Sequence, residues 1–476
     1  VPGSLALGVA GEWRKQQGFV RNIGHGGRTD DRERWNGRVT AHWTPGEHSD
    51  AVLRYTRSQY RDGGAPWGPA EQRRRRVRSG TDSHNDSRGS SLSLNASHVF
   101  SDALRLRSVT AHNRFDDRIA QDLDFTGGGA VGLERNQRFD ILSQELRLEG
   151  DIGTARWLWG AYADREDHTL RFRQRSPMGE QRMASELDGE TMALFGQWIQ
   201  PLGERWLLTP GLRAERSTVA LEPEGAERRQ ERWNRVTPSL ALQYRWRPES
   251  WLYARYAEGF RAGGFNAYAG AAGYPDYAPE KVASYELGAK GWGLDERLRY
   301  DLALYWMDVR DMHVQEIVQP GTAYITNAAS ARSAGLELEL AYFLNDAWML
   351  RSGLALNRTR FRTFQDLAED YRGNSNPFAP DLAGFMGIRY EALTGWFAQA
   401  DLSGMSRIYL DAANQYSRPG FGLLDLAGGY RHRHFTVTLY ADNVTDTRYD
   451  AVGLLNGNVR VYSPPRELGL RLGMEF

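Results

Sequence analysis

The last ten residues, Glu467 to Phe476, read Glu-Leu-Gly-Leu-Arg-Leu-Gly-Met-Glu-Phe. Leu468, Leu470, Leu472, Met474 and Phe476 occupy every second position, and Glu467, Gly469, Arg471, Gly473 and Glu475 fill the places between. In a β-strand those two sets point to opposite faces. Alternation over about ten residues suits a tilted strand that crosses a bilayer, with lipid on one face and a wet lumen on the other. A helical crossing finds no support, because no apolar run approaches the roughly 18 residues that a spanning helix needs. With 41% hydrophobic residues, 51 Gly and a mean hydropathy of −0.61, the chain is too polar for a helical membrane protein. A barrel escapes that objection, since only alternate wall residues meet lipid and the loops are polar.

The same pattern recurs along the chain. Leu5 to Arg14 reads as a strand, a polar stretch runs through Arg34, and Trp35 to Trp43 reads as a second strand before a short Pro45 to Asp50 turn. Further strand pairs meet at Ser101-Asp102, Gly153-Thr154, Gly203-Glu204, Pro248-Glu249, Leu294-Asp295, Asn345-Asp346, Thr394-Gly395 and His432-Arg433, dipeptides rich in residues that tolerate turn geometry. Between the pairs lie long polar segments: Arg61 to Gly89, Phe115 to Arg135, Phe260 to Lys281 and Arg362 to Pro377. Loops of this length are unusual inside a compact soluble domain. Short turns at one end and long loops at the other describe a membrane barrel with a periplasmic and an extracellular side. This spacing predicts an all-β, transmembrane antiparallel β-barrel of about 20 strands, one domain over 1–476, with both chain ends on the short-turn side. Strands of about 11 residues would account for roughly 220 residues and leave the rest as loop.

Strand interiors support that reading. Leu298, Tyr300, Leu302, Leu304 and Trp306 alternate with Arg299, Asp301 and Tyr305, and Leu336, Leu338 and Leu340 with Glu337 and Glu339. Leu104 and Leu106 alternate likewise with Arg105 and Arg107. A packed core would not accept the charged set without partners. Trp157, Trp206, Trp251, Trp348 and Trp396 each follow a short turn, where an aromatic girdle at the inner interface would lie. The 60 basic and 60 acidic residues cancel, so bulk attraction to nucleic acid is not indicated. The absence of Cys excludes a disulfide framework and thiolate metal sites. Val1-Pro2-Gly3-Ser4-Leu5 shows neither a basic n-region nor an apolar h-region.

Several stretches, taken in order, resemble the TonB-dependent outer-membrane receptors. They are Tyr253-Ala-Arg-Tyr-Ala-Glu-Gly-Phe-Arg-Ala-Gly-Gly-Phe-Asn266, Ala278-Pro-Glu-Lys-Val-Ala-Ser-Tyr-Glu-Leu-Gly-Ala-Lys290, Tyr324-Ile-Thr-Asn-Ala-Ala329 leading to Gly335-Leu-Glu-Leu-Glu339, Ala441-Asp-Asn-Val-Thr-Asp446, and Pro465-Arg-Glu-Leu-Gly-Leu running into Phe476. Gly18-Phe-Val-Arg-Asn22 is similar to the stretch around that family's first complete extracellular hairpin. The resemblance implies energy-coupled import of a scarce ligand, most often a ferric siderophore, with haem, cobalamin or a carbohydrate as alternatives. It also implies the outer membrane of a Gram-negative bacterium, a TonB complex as partner, and Phe476 as the signal read by the outer-membrane insertion machinery. The family barrel has about 22 strands around a plug that follows a TonB box. On this resemblance the plug, the box and the first two strands are missing. Either about 20 strands close on themselves or another segment supplies the rest, and the second is the expectation. A passive porin-like channel is the main competing reading.

Two loops carry candidate ligand-binding residues. Arg73, Arg74, Arg75 and Arg76, with Arg78, form a basic run whose plain reading is a solvated loop; the sharper one is contact with lipopolysaccharide phosphates or an anionic ligand. Phe265, Tyr268, Tyr274 and Tyr277, with Arg261, form an aromatic loop that suits either loop packing or an aryl-bearing ferric chelate. Asp116, Asp117, Asp122 and Asp124 lack the glycine and terminal Glu of a calcium loop and read as solvated. His432 and His434 are a weak pair for a metal, and Gly127 to Gly129 precede no helix that could cradle phosphate. No set of nucleophile, base and orienting residue stands out, so the chain is read as a non-enzyme without a cofactor.

Overall fold

The structure, a computed structural model, describes residues 4–72, 75–267, 275–319, 322–366, 369–454 and 457–475. Twenty long strands follow one another: β1 Ser4–Gln16, β2 Arg32–Gly46, β3 Ser49–Gly63, β4 His84–Ser101, β5 Leu104–Asp122, β6 Gly132–Ile152 and β7 Ala155–Ser176. Next come β8 Gly179–Leu202, β9 Trp206–Pro223, β10 Arg229–Arg247, β11 Ser250–Arg261, β12 Glu280–Gly293, β13 Leu298–Gln319 and β14 Thr322–Phe343. The set ends with β15 Trp348–Asp366, β16 Leu382–Glu391, β17 Trp396–Met405, β18 Phe421–His432, β19 Phe435–Asp442 and β20 Glu467–Met474. Each pairs antiparallel with its chain neighbour, forming a membrane β-barrel wall. Every short turn expected from the sequence joins two of these strands. Gly153, Gly203 and Gly395 take positive φ at three of the turns, a conformation that costs glycine least.

The register fixes which side chains meet lipid. Residues opposite one another share a face. One row runs Leu287, Leu304, Leu336, Leu356, Leu382 across five strands, and the row beneath it contains Leu252, Ala289, Leu302, Leu338 and Leu354. The opposite face carries Lys290, Asp301 and Glu339 in one row. On β20, Leu468 and Leu472 are 71% and 70% exposed. Their lumen-side neighbour Gly469 lies under the Tyr440 ring, which a Cβ there would strike at 2.2 Å. The Tyr440 hydroxyl donates to Glu467 at 3.2 Å.

An aromatic belt marks the short-turn end. Trp206 with Tyr244, Trp348 with Tyr390, and Trp396 with Tyr430 are cross-strand pairs on the lipid face, with ring centroids 4.6, 4.7 and 4.9 Å apart. Trp157 lies on the same face, opposite Trp198. Trp251 does not join them. The register slips between Arg245 and Arg247, and that one-residue bulge turns Trp251 to the lumen, opposite Lys290 and with Arg245 5.8 Å over its ring.

Strand length departs from expectation. Crossing the membrane takes about 11 residues, but β7 runs 22 and β8 runs 24, joined by a turn at Pro177 and Met178. The wall therefore rises well above the lipid, and much of what reads as loop is strand. Arg61 to Gly63, for example, continues β3, and Phe115 to Asp122 continues β5.

The two ends of the wall are edges. Among the described residues β1 pairs only with β2 and β20 only with β19, and no ladder joins β1 to β20. Above this seam the loops nonetheless connect. Val459–Val461, from the segment between β19 and β20, pairs antiparallel with Trp67–Pro69, from the segment between β3 and β4.

Candidate functional site

The rim at the long-loop end is built from loops that hold one another. Around the seam, Tyr462 is 2% exposed and packs with Val20 and Val77, bordered by Phe19 and Phe125. Its amide donates to the Pro66 carbonyl at 2.8 Å and its hydroxyl to the Arg76 carbonyl at 3.4 Å. Burial pushes the phenol up to about 12, against the opposing charge of Arg460. Arg21–Asn22 and Arg76–Val77 form a short parallel ladder beside it. Asp30 accepts from the amides of Phe19 and Val20 at 3.1 and 2.8 Å, and Asp450 accepts from the Ser463 amide at 2.8 Å and pairs with Arg460 at 3.2 Å. Segments nearly 400 residues apart in sequence thus form one clasp, with Arg75 Nε donating to the Ser463 carbonyl at 2.9 Å.

Two acidic groups in these loops titrate low. A hydrogen bond from the Arg466 amide, reinforced by the charges of Arg75, Arg448 and Arg466 against slight burial, holds Asp446 below the ordinary carboxylate range. Burial works against ionisation of Asp124, but donors from Thr126 and Val131 outweigh it and lower that carboxyl too. Asp122, 1% exposed, accepts from Ser79 Oγ and from the amides of Gly80, Thr81, Asp124 and Phe125 at 2.8–3.3 Å. The expectation of a solvated acidic loop is therefore corrected. Asp122 and the buried Asp117, which pairs with Arg135 at 3.0 Å, are staples between loops and strand ends.

The aromatic loop after β11 is similarly anchored. Gly264 and Tyr277 exchange backbone hydrogen bonds of 3.0 Å. Asn266 donates to the carbonyls of Pro275 and Ile325 and accepts from the Ile325 amide, tying this loop to β14. Asn327 makes a reciprocal pair with Ala278. Phe265 is 5% exposed beneath the Arg229 guanidinium, 5.0 Å from its ring centroid, and Arg229 pairs with Asp276 at 2.9 Å. Tyr277 packs edge-on against His313 at 4.9 Å, and burial raises its phenol. Arg261 stays open, with 67% of its side chain exposed and Glu280 3.9 Å away.

The lumen below is polar and of mixed sign. Arg107 faces Glu149 at 3.3 Å, Arg213 faces Glu215 at 2.6 Å and Arg351 faces Asp401 at 2.6 Å. Arg213 also lies 5.7 Å over Tyr162 and 5.8 Å over Phe195. Higher up, His168 stacks on Phe139 at 3.9 Å. Such a wall solvates a charged solute or docks a polar segment.

Of the expected ligand residues, Arg261, Phe265 and Tyr277 share one loop, whereas Arg75 and Arg76 belong to the clasp. Among the described residues no hydrogen bond or ion pair links the two groups. Arg73, Arg74, Tyr268, Tyr274 and Phe476 lie outside the described residues. The plain reading of a solvated loop is corrected for Arg75, which docks onto Ser463 and Phe19, whereas Arg76 stays exposed while its backbone carries a ladder. Sequence reasoning missed Tyr462 and Arg229 and gave Asp122 no structural role; Tyr462 packs on Val20 and Val77, Arg229 pairs with Asp276 and Asp122 binds Ser79, all remote in the chain, so no local pattern marks them.

Comparison with known proteins agrees with this architecture. Residues 12–444 match the family described as TonB dependent receptor-like, beta-barrel. The pesticin receptor of Yersinia enterocolitica is 25% identical over 369 residues, covering 73% of this chain and 53% of the receptor. The metal-pseudopaline receptor CntO of Pseudomonas aeruginosa is 25% identical over 411 residues, covering 76% and 56%. The chain thus spans about half the length of the curated relatives it matches. Among solved structures, the ferric yersiniabactin uptake receptor FyuA of Yersinia pestis superposes with a TM-score of 0.88 at 20% identity, over 100% of this chain and 76% of that one. The ferric-catecholate import receptor Fiu of Escherichia coli gives 0.82 at 18%, over 100% and 78%. These likenesses, with the family match over most of the chain, establish that this polypeptide belongs to the TonB-dependent receptor β-barrel family.

Proposed function

We propose that the chain forms the barrel of an outer-membrane receptor for energy-coupled uptake of a ferric siderophore or a similarly scarce metal chelate. The observation that carries this is the combination of a lumen face lined by charged pairs with a rim of interlocked loops. A passive pore needs the first and not the second. The relatives, among them a pesticin receptor, a catecholate siderophore receptor and a metal-pseudopaline receptor, support the same class of cargo. Within the rim, the exposed Arg261 and the half-buried Tyr277 would meet an arriving chelate, while the buried Phe265 supports the loop from within. Energy coupling would come from the TonB complex through a plug and TonB box, and Phe476 would address the chain to the outer-membrane insertion machinery. The unpaired edges of β1 and β20 favour completion of the wall by a further β-hairpin, because open edges in lipid cost several kcal/mol per group.

The test is growth of an iron-starved deletion strain carrying the complete gene on a panel of ferric chelates, haem and metallophore complexes. Rescue by one chelate that depends on TonB supports the reading. Equal entry of all solutes below a size limit, independent of TonB, would establish a passive channel instead.

A further inference from the structure

We infer that the outer side of the wall, where β6 and β7 stand clear of the membrane, carries a binding site for a neutral saccharide. This rests on the outer-membrane reading but not on the cargo. Between the loop after β3, the loop after β5 and the upper ends of β5 to β7 lies a cavity of about 440 Å³, an ordinary size for a small-ligand site. Glu134, Asn136 and Arg175 line it. By strand alternation they share a face with Leu142, Leu148 and Trp159, which point outwards lower down, and the register between β6 and β7 runs unbroken from Ala155 to Arg175. From Trp157 in the aromatic belt to Arg175 is eighteen residues, about 59 Å along the strand and about 45 Å along the membrane normal at a tilt near 40°. The cavity thus stands about 20 Å beyond an apolar band about 25 Å tall, out of reach of acyl chains and lipid phosphates. In an outer membrane the neighbours at that height are the sugars of surface polysaccharide.

The cavity is held from behind and its charges cancel. Asp122 fixes one loop through Ser79 Oγ and the amides of Gly80 and Thr81, and the other through the amides of Asp124 and Phe125. The two loops touch at Gly80, where a Cβ would strike the Gly127 carbonyl oxygen at 2.4 Å. One oxygen of Glu134 accepts from Arg173 Nε at 3.0 Å and the other lies 3.5 Å from Arg175. With Asp82, two carboxylates therefore meet two guanidinium groups. His84 Nδ1 lies 3.0 Å from the Asp82 carbonyl, which can only accept, so that nitrogen carries the proton and Nε2 is left as an acceptor. Asn136 adds an amide donor and acceptor, and Ile119 and Ala120 add an apolar patch. Fixed donors and acceptors beside a small apolar patch match the vicinal hydroxyls and C–H face of a pyranose. An anionic ligand would meet Asp82 and Glu134, and a cationic one Arg175, so neither sign of charge is favoured.

The experiment uses the full protein in detergent and saturation-transfer NMR. The probes are the methyl glycosides of glucose, galactose, mannose and N-acetylglucosamine, with glucuronate and glucosamine as charged controls, and the host strain's surface polysaccharide freed of lipid and phosphate. The expected result is binding of at least one neutral probe, insensitive to salt, with both charged controls weaker. A Cβ on Gly128 would meet Thr126 Oγ1 at an ordinary 3.7 Å, so Gly128→Trp fills the cavity without moving the loops and should abolish the signal. Asn136→Ala should weaken binding about tenfold. Arg433→Gln, in a turn at the other end, should bind as the parent does. Signal from the polysaccharide alone assigns the site to the cell surface, and signal from a free glycoside assigns it to soluble sugar. Heat-modifiable gel mobility checks folding; if a variant fails it, the neutral-against-charged comparison on the parent decides alone. No signal from any neutral probe, charged controls that bind equally well, or an unaltered Gly128→Trp variant would each overturn the inference. Absence of saccharide binding with detergent still required leaves the barrel reading standing, whereas a protein monodisperse without detergent would remove both.

Discussion

Replacing Leu338 and Glu339 by arginine, one at a time, tests the register of the whole wall. Leu338 sits between Leu302 and Leu354 on the lipid face, and Glu339 sits between Asp301 and Gly353 on the lumen face. From Tyr342, two pairs above Trp348, the strand rises four residues to Leu338, about 13 Å along its axis and about 10 Å along the membrane normal. This is close to the middle of an apolar band about 25 Å tall, where an arginine on the lipid face costs about 2–4 kcal/mol. Glu339→Arg exchanges one hydrated charge for another beside Asp301, which attracts it, and should stay within about 0.5 kcal/mol of the parent. The assay is urea titration of the protein folded into phospholipid vesicles, read by heat-modifiable mobility on a gel. Equal costs at the two positions, or a larger cost at Glu339, would refute the assignment of faces.

Three further outcomes follow from the rim. Tyr462→Ala removes the centre of the clasp and should cost about 3–5 kcal/mol locally, seen as faster hydrogen exchange at 66–79 and 450–463 with unchanged exchange in the wall. Asp446 and Asp124 both titrate below the ordinary carboxylate value. Their contribution is therefore complete above about pH 4 and lost as pH falls through the lowered folded values; protease cleavage within 443–466 should rise only in that acid window, and Asp446→Asn should flatten the profile. Arg229→Ala uncovers Phe265 and frees Asp276, so the loop after β11 should become protease-sensitive while the barrel keeps its heat-modifiable mobility.

The faces and short turns were legible because both are local. A two-residue period identifies the lipid side of a strand without knowledge of its partner, and Gly153-Thr154 or Asn345-Asp346 announces a reversal by its own chemistry. The height of the strands was not legible. Above the membrane both faces meet water or loops, so β3 and β5 lose the apolar alternation, and Arg61 to Gly63 and Phe115 to Asp122 read as loop. Trp251 fails for a related reason, since a bulge in β10 changes the face of β11 without changing its sequence pattern. Tyr462 and Asp122 fail because what buries them, Val20 and Val77 in one case and the loop at Ser79 in the other, lies far away in sequence.

The seam is where local pattern and long-range structure must be reconciled. On the open side of β20 roughly every second residue presents an unpaired N–H and C=O, about eight groups, and each costs several kcal/mol in lipid. The clasp above contributes at most a few side chains' burial, so it can bring the ends of the wall near one another but cannot offset open edges below. Two arrangements remove that cost, direct pairing of β1 with β20 or insertion of a hairpin between them, and they differ in distance. Neighbouring strands lie about 4.8 Å apart, so two interposed strands separate the edges by at least about 14 Å. The chain contains no cysteine, so Leu7→Cys with Leu472→Cys on the two lipid-facing edges gives a clean pair of labels. Read in vesicles by disulfide formation and by spin-label distance, the complete gene product should show no cross-link and a separation near or above 14 Å. Efficient cross-linking would mean that the edges pair directly, and the hairpin proposal would then fail.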